Sequence, residues 1–128
     1  MKSLFRFAVW SNIFYIAPLV AASYFHLWGV ALLLFALIIF SATFHFSHEI
    51  SYVLADKLAA LAVVFVDVVL LALGGFDILY LVLVGAALGL GLYVRYVQEK
   101  GSRGGFYHGL WHACASAVTL LCILSYAT

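Results

Sequence analysis

Long apolar stretches separated by short polar breaks follow one another along the whole chain. Each is close to the ~20 residues that an α-helix, rising 1.5 Å per residue, needs to cross the hydrocarbon core of a bilayer. The pattern therefore predicts an all-α integral membrane protein with five transmembrane helices, forming one domain over residues 1–128. The predicted helices cover residues 7–25, 28–47, 54–73, 77–97 and 105–126.

The composition strengthens this interpretation. Apolar residues make up 68% of the chain and charged residues 9%, whereas soluble domains are about half apolar and a quarter charged. Lys2 and Arg6 precede the first apolar stretch, as in a signal peptide. That stretch is too long, contains Asn12 and Pro18, and lacks a clear small-residue cleavage site, so we expect a first transmembrane helix. The net charge of +1 argues against a nucleic-acid partner, which needs a concentrated basic surface.

The basic residues indicate the orientation of the chain. If the five helices cross in alternation, every lysine and arginine falls on the side where the chain begins, and the breaks on the other side contain none. Since an excess of lysine and arginine marks the cytoplasmic side, the N-terminus is predicted inside and the C-terminus outside. The residues on which this depends are Lys2, Arg6, Lys57, Arg95, Lys100 and Arg103.

Three histidines fall at one depth on that side. His45 is near the end of the second stretch, and His108 and His112 open the fifth, one helical turn apart on one face. Helical rise places them roughly 6 to 12 Å below the cytoplasmic surface. An ionisable side chain at membrane depth is costly, so it is kept where it faces the protein interior and a partner. Three imidazoles that converge predict a zinc site whose fourth tetrahedral position is open.

A hydroxyl and a carboxyl group lie near the predicted zinc. Ser41 precedes His45 by one turn on the same helix face, and Asp56 is at matching depth at the start of the third helix. Zinc activates water and polarises a carbonyl oxygen, which suits attack on an amide or ester. Asp56 is the candidate to move the proton of the water, and Ser41 the candidate to bind the oxyanion. Simpler alternatives are interhelical contacts for the histidines and a hydrogen bond from Ser41 to its own backbone.

Three motifs are spread over most of the chain: Ser41-x3-His45, Asp56 in Ala-Asp-Lys-Leu, and His108-x3-His112 in Tyr-His-Gly-Leu-Trp-His-Ala. Together they resemble the CREST membrane hydrolase superfamily, which includes the alkaline ceramidases and the adiponectin/progestin receptors. Ser11-Asn12 also resembles the first-helix pattern of the ceramidase branch. The resemblance implies that the three histidines hold zinc, the aspartate handles the proton of the water and the serine assists at the oxyanion.

The chain departs from that superfamily in its size. Members usually have seven transmembrane helices, whereas about 50 residues separate Asp56 from His108, enough for two crossings where four are expected. Loss of a helix pair keeps the last helix on the correct side, so the chain is expected to be a shortened, five-helix version. Five helices enclose an acyl chain less completely than seven. A homo-oligomer could supply the missing helices from a second copy.

Two further residues are weaker candidates for the site. Asp67 shares a helix face with Asp56 but lies ~16 Å deeper, so it is either a rival for the role of the aspartate or hydrogen-bonded to Asn12, a tyrosine or a serine of another helix. His48 follows His45 at i+3 and is either an alternative ligand or a solvated surface residue.

The leading functional hypothesis is a zinc-dependent intramembrane hydrolase that uses zinc-activated water to cleave an amide bond, or alternatively an ester bond, of a ceramide-like lipid. One alternative is a receptor-like or scaffold membrane protein in which zinc only staples helices two and five. Another is a haem-binding electron carrier, in which only one of His108 and His112 could pair with His45 across the haem. The expected partners are a lipid substrate and the membrane.

Overall fold

A computed structural model describes residues 9–47, 50–101 and 104–128, and all regular structure in these ranges is helical. The prediction of an all-α fold with five helices is confirmed, with helix ends within four residues of those predicted wherever both ends are described. A 3₁₀ segment, Ser11–Tyr15, leads into α1 (Ile16–Tyr24), which is followed by α2 (Trp28–Ser47), α3 (Ile50–Leu73), α4 (Ile78–Lys100) and α5 (Gly104–Ala127).

Three of these helices are long and apolar enough to cross a membrane: α2, α4 and residues Phe106–Ala127 of α5. Helix α3 has 24 residues, but Asp56, Lys57 and Asp67 make it less apolar. The α-helical part of α1 has only nine residues. Length and composition therefore indicate a membrane protein, while five crossings and their orientation stay predictions.

The first helix is not continuous over 7–25, because the 3₁₀ segment precedes α1. Pro18 explains the break, since its nitrogen has no hydrogen to donate and its ring crowds the carbonyl of Phe14, four residues earlier. The tighter 3₁₀ turn relieves that conflict. It also buries Ser11, Asn12 and Tyr15 against the bundle.

Short turns join α1 to α2 and α3 to α4. His26, with φ 59°, and Gly75, with φ 76°, each follow a helix end in the left-handed conformation and close it with paired backbone hydrogen bonds. Asp77 caps α4 by accepting a hydrogen bond from the amide of Leu79 at 2.9 Å. These turns lie at one end of the bundle, so α2 ends and α5 begins at the other.

Helix α5 is the centre of the bundle, where it packs against the 3₁₀ segment, α1, α3 and α4, while α2 packs against α1 and α3. Its Cys122 and Ile123 are fully buried. In contrast, large apolar side chains such as Phe65 of α3 and Leu90 of α4 are more than half exposed. An outer surface of this kind is typical of helices that face lipid.

Helix α4 approaches α5 closely at Gly91. A Cβ atom there would be 3.1 Å from the Cβ of Cys114, tighter than most such contacts. Gly85 and Gly89 face open space on the outer side of α4. Only Gly91 of these three glycines is therefore used in packing α4 against α5.

Candidate metal centre

One face of α2 supplies the first metal-ligating residue. Its buried residues recur every three or four positions, from Leu34 and Leu37 to Ser41 and His45. This spacing forms a single stripe along a helix. This stripe therefore packs in the core through its apolar residues and ends, near the last turn of α2, in the hydroxyl of Ser41 and the imidazole of His45.

The three predicted histidines meet at the end of the bundle where α2 stops and α5 starts. The Nε2 atoms of His45 and His108 are 2.9 Å apart, and the ring centroids of His108 and His112 are 4.5 Å apart. The candidate ligand nitrogens all lie within 4.8 Å of one another. Nitrogens that bind one tetrahedral zinc at about 2.0 to 2.1 Å are roughly 3.3 Å apart. The three histidines are thus close enough to bind a single metal ion, as the sequence predicted.

Ser11 hydrogen-bonds the Nδ1 side of the third of these rings, that of His112. Its Oγ is 2.8 Å from Nδ1 of His112, and both side chains are buried. When Nδ1–H donates to Ser11, the lone pair on Nε2 is left for a metal, which is the usual way in which a second residue orients a metal-binding imidazole. The Tyr15 ring lies beside the same imidazole, 6.0 Å between centroids. Sequence reasoning singled out Ser11 only by resemblance and missed Tyr15, although the two are one turn apart.

Ser41 and Asp56, predicted at one depth on neighbouring helices, are brought together. The hydroxyl of Ser41, which is 2% exposed, lies within interaction range of the half-buried carboxyl group of Asp56. Ser41 is therefore directed toward α3. Asp56 also lies within electrostatic range of Tyr15, the residue beside His112. The carboxyl group thus belongs to the same end of the bundle as the three histidines.

Asp67 lies deeper and has a different partner from those expected. Its Oδ2 accepts a hydrogen bond from the hydroxyl of Thr119 on α5 at 3.0 Å, whereas Asn12 donates to the carbonyl of Val9. The expected interhelical hydrogen bond is present, with a threonine in place of asparagine, tyrosine or serine. Thr119 follows His112 by seven positions, about 10 Å along α5. Asp67 is accordingly set apart from the three histidines, and His48 lies outside the described residues.

Comparison of this chain with protein-family models, with curated proteins and with solved structures finds no significant match. The chemistry of the candidate site depends on a small set of side chains. These are three imidazoles around one point, a serine bonded to one of them, and a carboxyl group beside a second serine at the same end of the bundle.

Proposed function

We propose that this chain is a zinc-dependent membrane hydrolase that cleaves an amide bond of a ceramide-like lipid, with an ester bond as the alternative. The convergence of His45, His108 and His112 carries the proposal. The Ser41–Asp56 pair supports it, because a carboxyl group near a metal can serve proton transfer. These five residues are also those on which the resemblance to the CREST superfamily rests.

The donor set favours zinc with an open position. Among the residues that the structure describes, the cluster consists of three imidazole ligands. Structural zinc sites are closed by four protein ligands, whereas catalytic sites typically have three and leave the fourth position to water or substrate. Imidazole nitrogen is a ligand well suited to zinc. The cluster therefore fits a catalytic zinc better than a structural one.

Zinc in this position would supply a Lewis acid that activates water and polarises the substrate carbonyl. Asp56 is the group that accepts the proton of the attacking water and returns it to the leaving nitrogen. Ser41 lies beside the carboxyl group of Asp56 in the resting site. Its hydroxyl, one turn from His45, is also the donor available to the developing oxyanion. Ser11 keeps the ring of His112 oriented through its Nδ1.

The location of the site agrees with a lipid substrate. The charge pattern supports a position of this end of the bundle near the cytoplasmic face, and we propose a multi-pass membrane protein in which lipid reaches the site from the bilayer. Five helices enclose a lipid substrate less completely than seven would. A homo-oligomer, with a second copy beside the exposed face of α4, would add helices around the substrate.

Two other functions fit the site less well. A receptor-like or scaffold protein with a stapling zinc gives no role to the Ser41–Asp56 pair. A haem carrier needs two axial ligands on opposite sides of a flat macrocycle, whereas here three rings, with centroids 4.5 to 5.7 Å apart, surround one point. The arrangement favours a single ion over haem.

Metal analysis tests the first half of the proposal. The purified protein is expected to contain about one zinc per chain, and the His112→Ala variant close to none, as measured by mass spectrometry of the metal. His26→Asn is the matched control, because His26 is at the opposite end of the bundle and asparagine tolerates its left-handed backbone. Wild-type protein without stoichiometric zinc would refute the proposal.

Lipid hydrolysis tests the second half. Wild-type protein is expected to release fatty acid from a long-chain ceramide, and Asp56→Asn to slow that release by about 10²- to 10⁴-fold with zinc content unchanged. Asp77→Asn is the control, since asparagine also caps a helix well. If the wild type turns over no member of a panel of lipid amides and esters while binding zinc, the scaffold function replaces the hydrolase.

A further inference from the structure

A groove between α3 and α4, floored by α5, leads from the outer surface into the middle of the bundle. It encloses a cavity of about 120 Å³. Its walls are almost entirely apolar, and Val64 of α3 and Leu88 of α4 at its sides are 58% and 45% exposed. The groove therefore opens sideways, toward the lipid that would surround the bundle. Other wall residues are Ala60, Gly91, Trp111 and Val118.

One residue that lines this groove has a polar atom without a partner in the part of the chain that the structure describes. Asp67 lines the cavity and is 6% exposed. Its Oδ2 is satisfied by Thr119, but its Oδ1 has no hydrogen-bond partner among the described residues. A buried carboxyl oxygen left unbonded is unfavourable, because it has lost water and gained nothing in return. An O–H group carried into the groove would remove that deficit.

The groove adjoins the three histidines at Tyr15. This residue lines the cavity, and its ring lies beside that of His112. Along α5, the position of Thr119, where Asp67 is held, is about 10 Å from that of His112. Tyr15 is therefore the residue that the wall of the groove and the surroundings of His112 share.

We infer that this groove binds an alkyl chain bearing a hydroxyl group, which donates a hydrogen bond to Oδ1 of Asp67 about 10 Å from the lipid's polar end. The apolar walls select the alkyl chain and the lateral opening selects a ligand that arrives from lipid. The unbonded oxygen of Asp67 selects the hydroxyl. The position of the polar end at the three histidines rests on the proposed function, while the preference for a hydroxyl rests on Asp67 alone.

Competition binding with the full-length protein tests the inference. Tritiated stearate is bound to the purified protein in detergent and displaced by unlabelled stearate or 10-hydroxystearate, whose carboxylates are identical. The hydroxy acid is expected to bind roughly three- to tenfold more tightly, the effect of one added hydrogen bond. Equal affinities in the wild type would overturn the inference, and would mean that water alone serves Oδ1.

Two variants of Asp67 locate the preference. Asp67→Asn retains an acceptor oxygen and is expected to keep the preference for the hydroxy acid. Asp67→Val has no acceptor oxygen and is expected to bind both acids equally. If Asp67→Val still prefers the hydroxy acid, the inference is wrong. Circular dichroism and a single symmetric elution peak in detergent show that each variant has folded. Should Asp67→Val not fold, Ala60→Trp at the groove wall provides the test, because blocking the groove must weaken both acids and remove the preference.

The outcome is separate from that of the proposed function, because binding is measured without turnover. A protein that cleaves no lipid yet prefers the hydroxy acid would refute the hydrolase and support the groove. Hydrolysis of ceramide with no preference for the hydroxy acid would support the hydrolase and refute the inference about the groove. In protein stripped of metal, both acids should bind more weakly, with the ratio of their affinities unchanged.

Discussion

Two polar clusters lie inside this apolar bundle, and they differ in how far the protein itself satisfies them. At one end, His45, His108 and His112 face one another, and Ser11 supports the third ring. In the middle, Asp67 is bonded to Thr119, and its second oxygen has no hydrogen-bond partner among the residues that the structure describes. The three histidines are close enough to bind a metal ion, whereas our inference assigns a hydroxyl donor to Asp67. If both proposals hold, the two clusters of one small bundle bind ligands of different kinds.

Removal of metal should have the largest effect, and only on the first cluster. If free zinc is present at about a thousand times its dissociation constant, binding stabilises the fold by about 4 kcal/mol. A chelator is therefore expected to lower the unfolding temperature of the wild type, measured by differential scanning fluorimetry. His112→Ala should not respond, and Asp67→Asn should respond as the wild type does. An equal response from all three proteins would contradict a metal site at the histidines.

Ser11→Ala should weaken the same cluster less severely. Loss of the partner of Nδ1 leaves the His112 ring free to reorient, and such losses cost about 10- to 100-fold in metal affinity. Competition with a chromophoric chelator measures that affinity. Ser11→Thr keeps the hydroxyl and serves as the control. Unchanged affinity in Ser11→Ala would show that packing alone orients the ring.

Thr119→Val should affect the second cluster and leave the first unchanged. Valine has the shape of threonine but leaves Asp67 with neither oxygen bonded, a loss of about 1 to 3 kcal/mol in the free energy of unfolding. Thr119→Ser keeps the hydroxyl and is expected to lose less than about 1 kcal/mol. Denaturant unfolding in detergent gives both values. A fall in zinc affinity of Thr119→Val would show that the clusters are coupled.

The smallest effects are expected on α4, which contributes no ligand to the cluster. Gly85→Ala places a methyl group in open space and should stabilise the helix by about 0.5 to 1 kcal/mol. Gly91→Ala should gain less or lose slightly, because its Cβ would press on Cys114. Both unfolding free energies can be measured as above. Zinc content should not change in either variant, and a change would mean that the wall of the groove shapes the metal site.

The helices and the convergence of the three histidines were predictable because each depends only on segment length and residue spacing along the chain. Segment length gives the helices, and the i, i+4 spacing puts His108 and His112 on one face. Because successive helices run in opposite directions, the end of α2 that carries His45 lies at the same end of the bundle as the start of α5. None of these steps requires knowing how a helix is rotated about its axis.

Rotation is what the sequence does not reveal. Over residues 28–40, helix α2 is apolar all round, so this part has no polar face to mark which side turns inward. The approach of Ser41 to Asp56 depends on the rotation of α2. The choice of Thr119 as the partner of Asp67 depends in the same way on the rotation of α3 and α5. The 3₁₀ turn that brings Ser11 behind His112 depends on how the conflict at Pro18 is resolved.

The bond between Ser11 and His112 joins residues 101 positions apart, and the two facing imidazoles of His45 and His108 are 63 positions apart. During synthesis the first four helices can present only one histidine of the cluster. The cluster of three histidines thus cannot form until α5 has been synthesised and has docked against the 3₁₀ segment. If the cluster binds zinc as proposed, zinc uptake would report the docking of α5, and a chain cut short before α5 should contain neither the metal nor the helix on which most of the others pack.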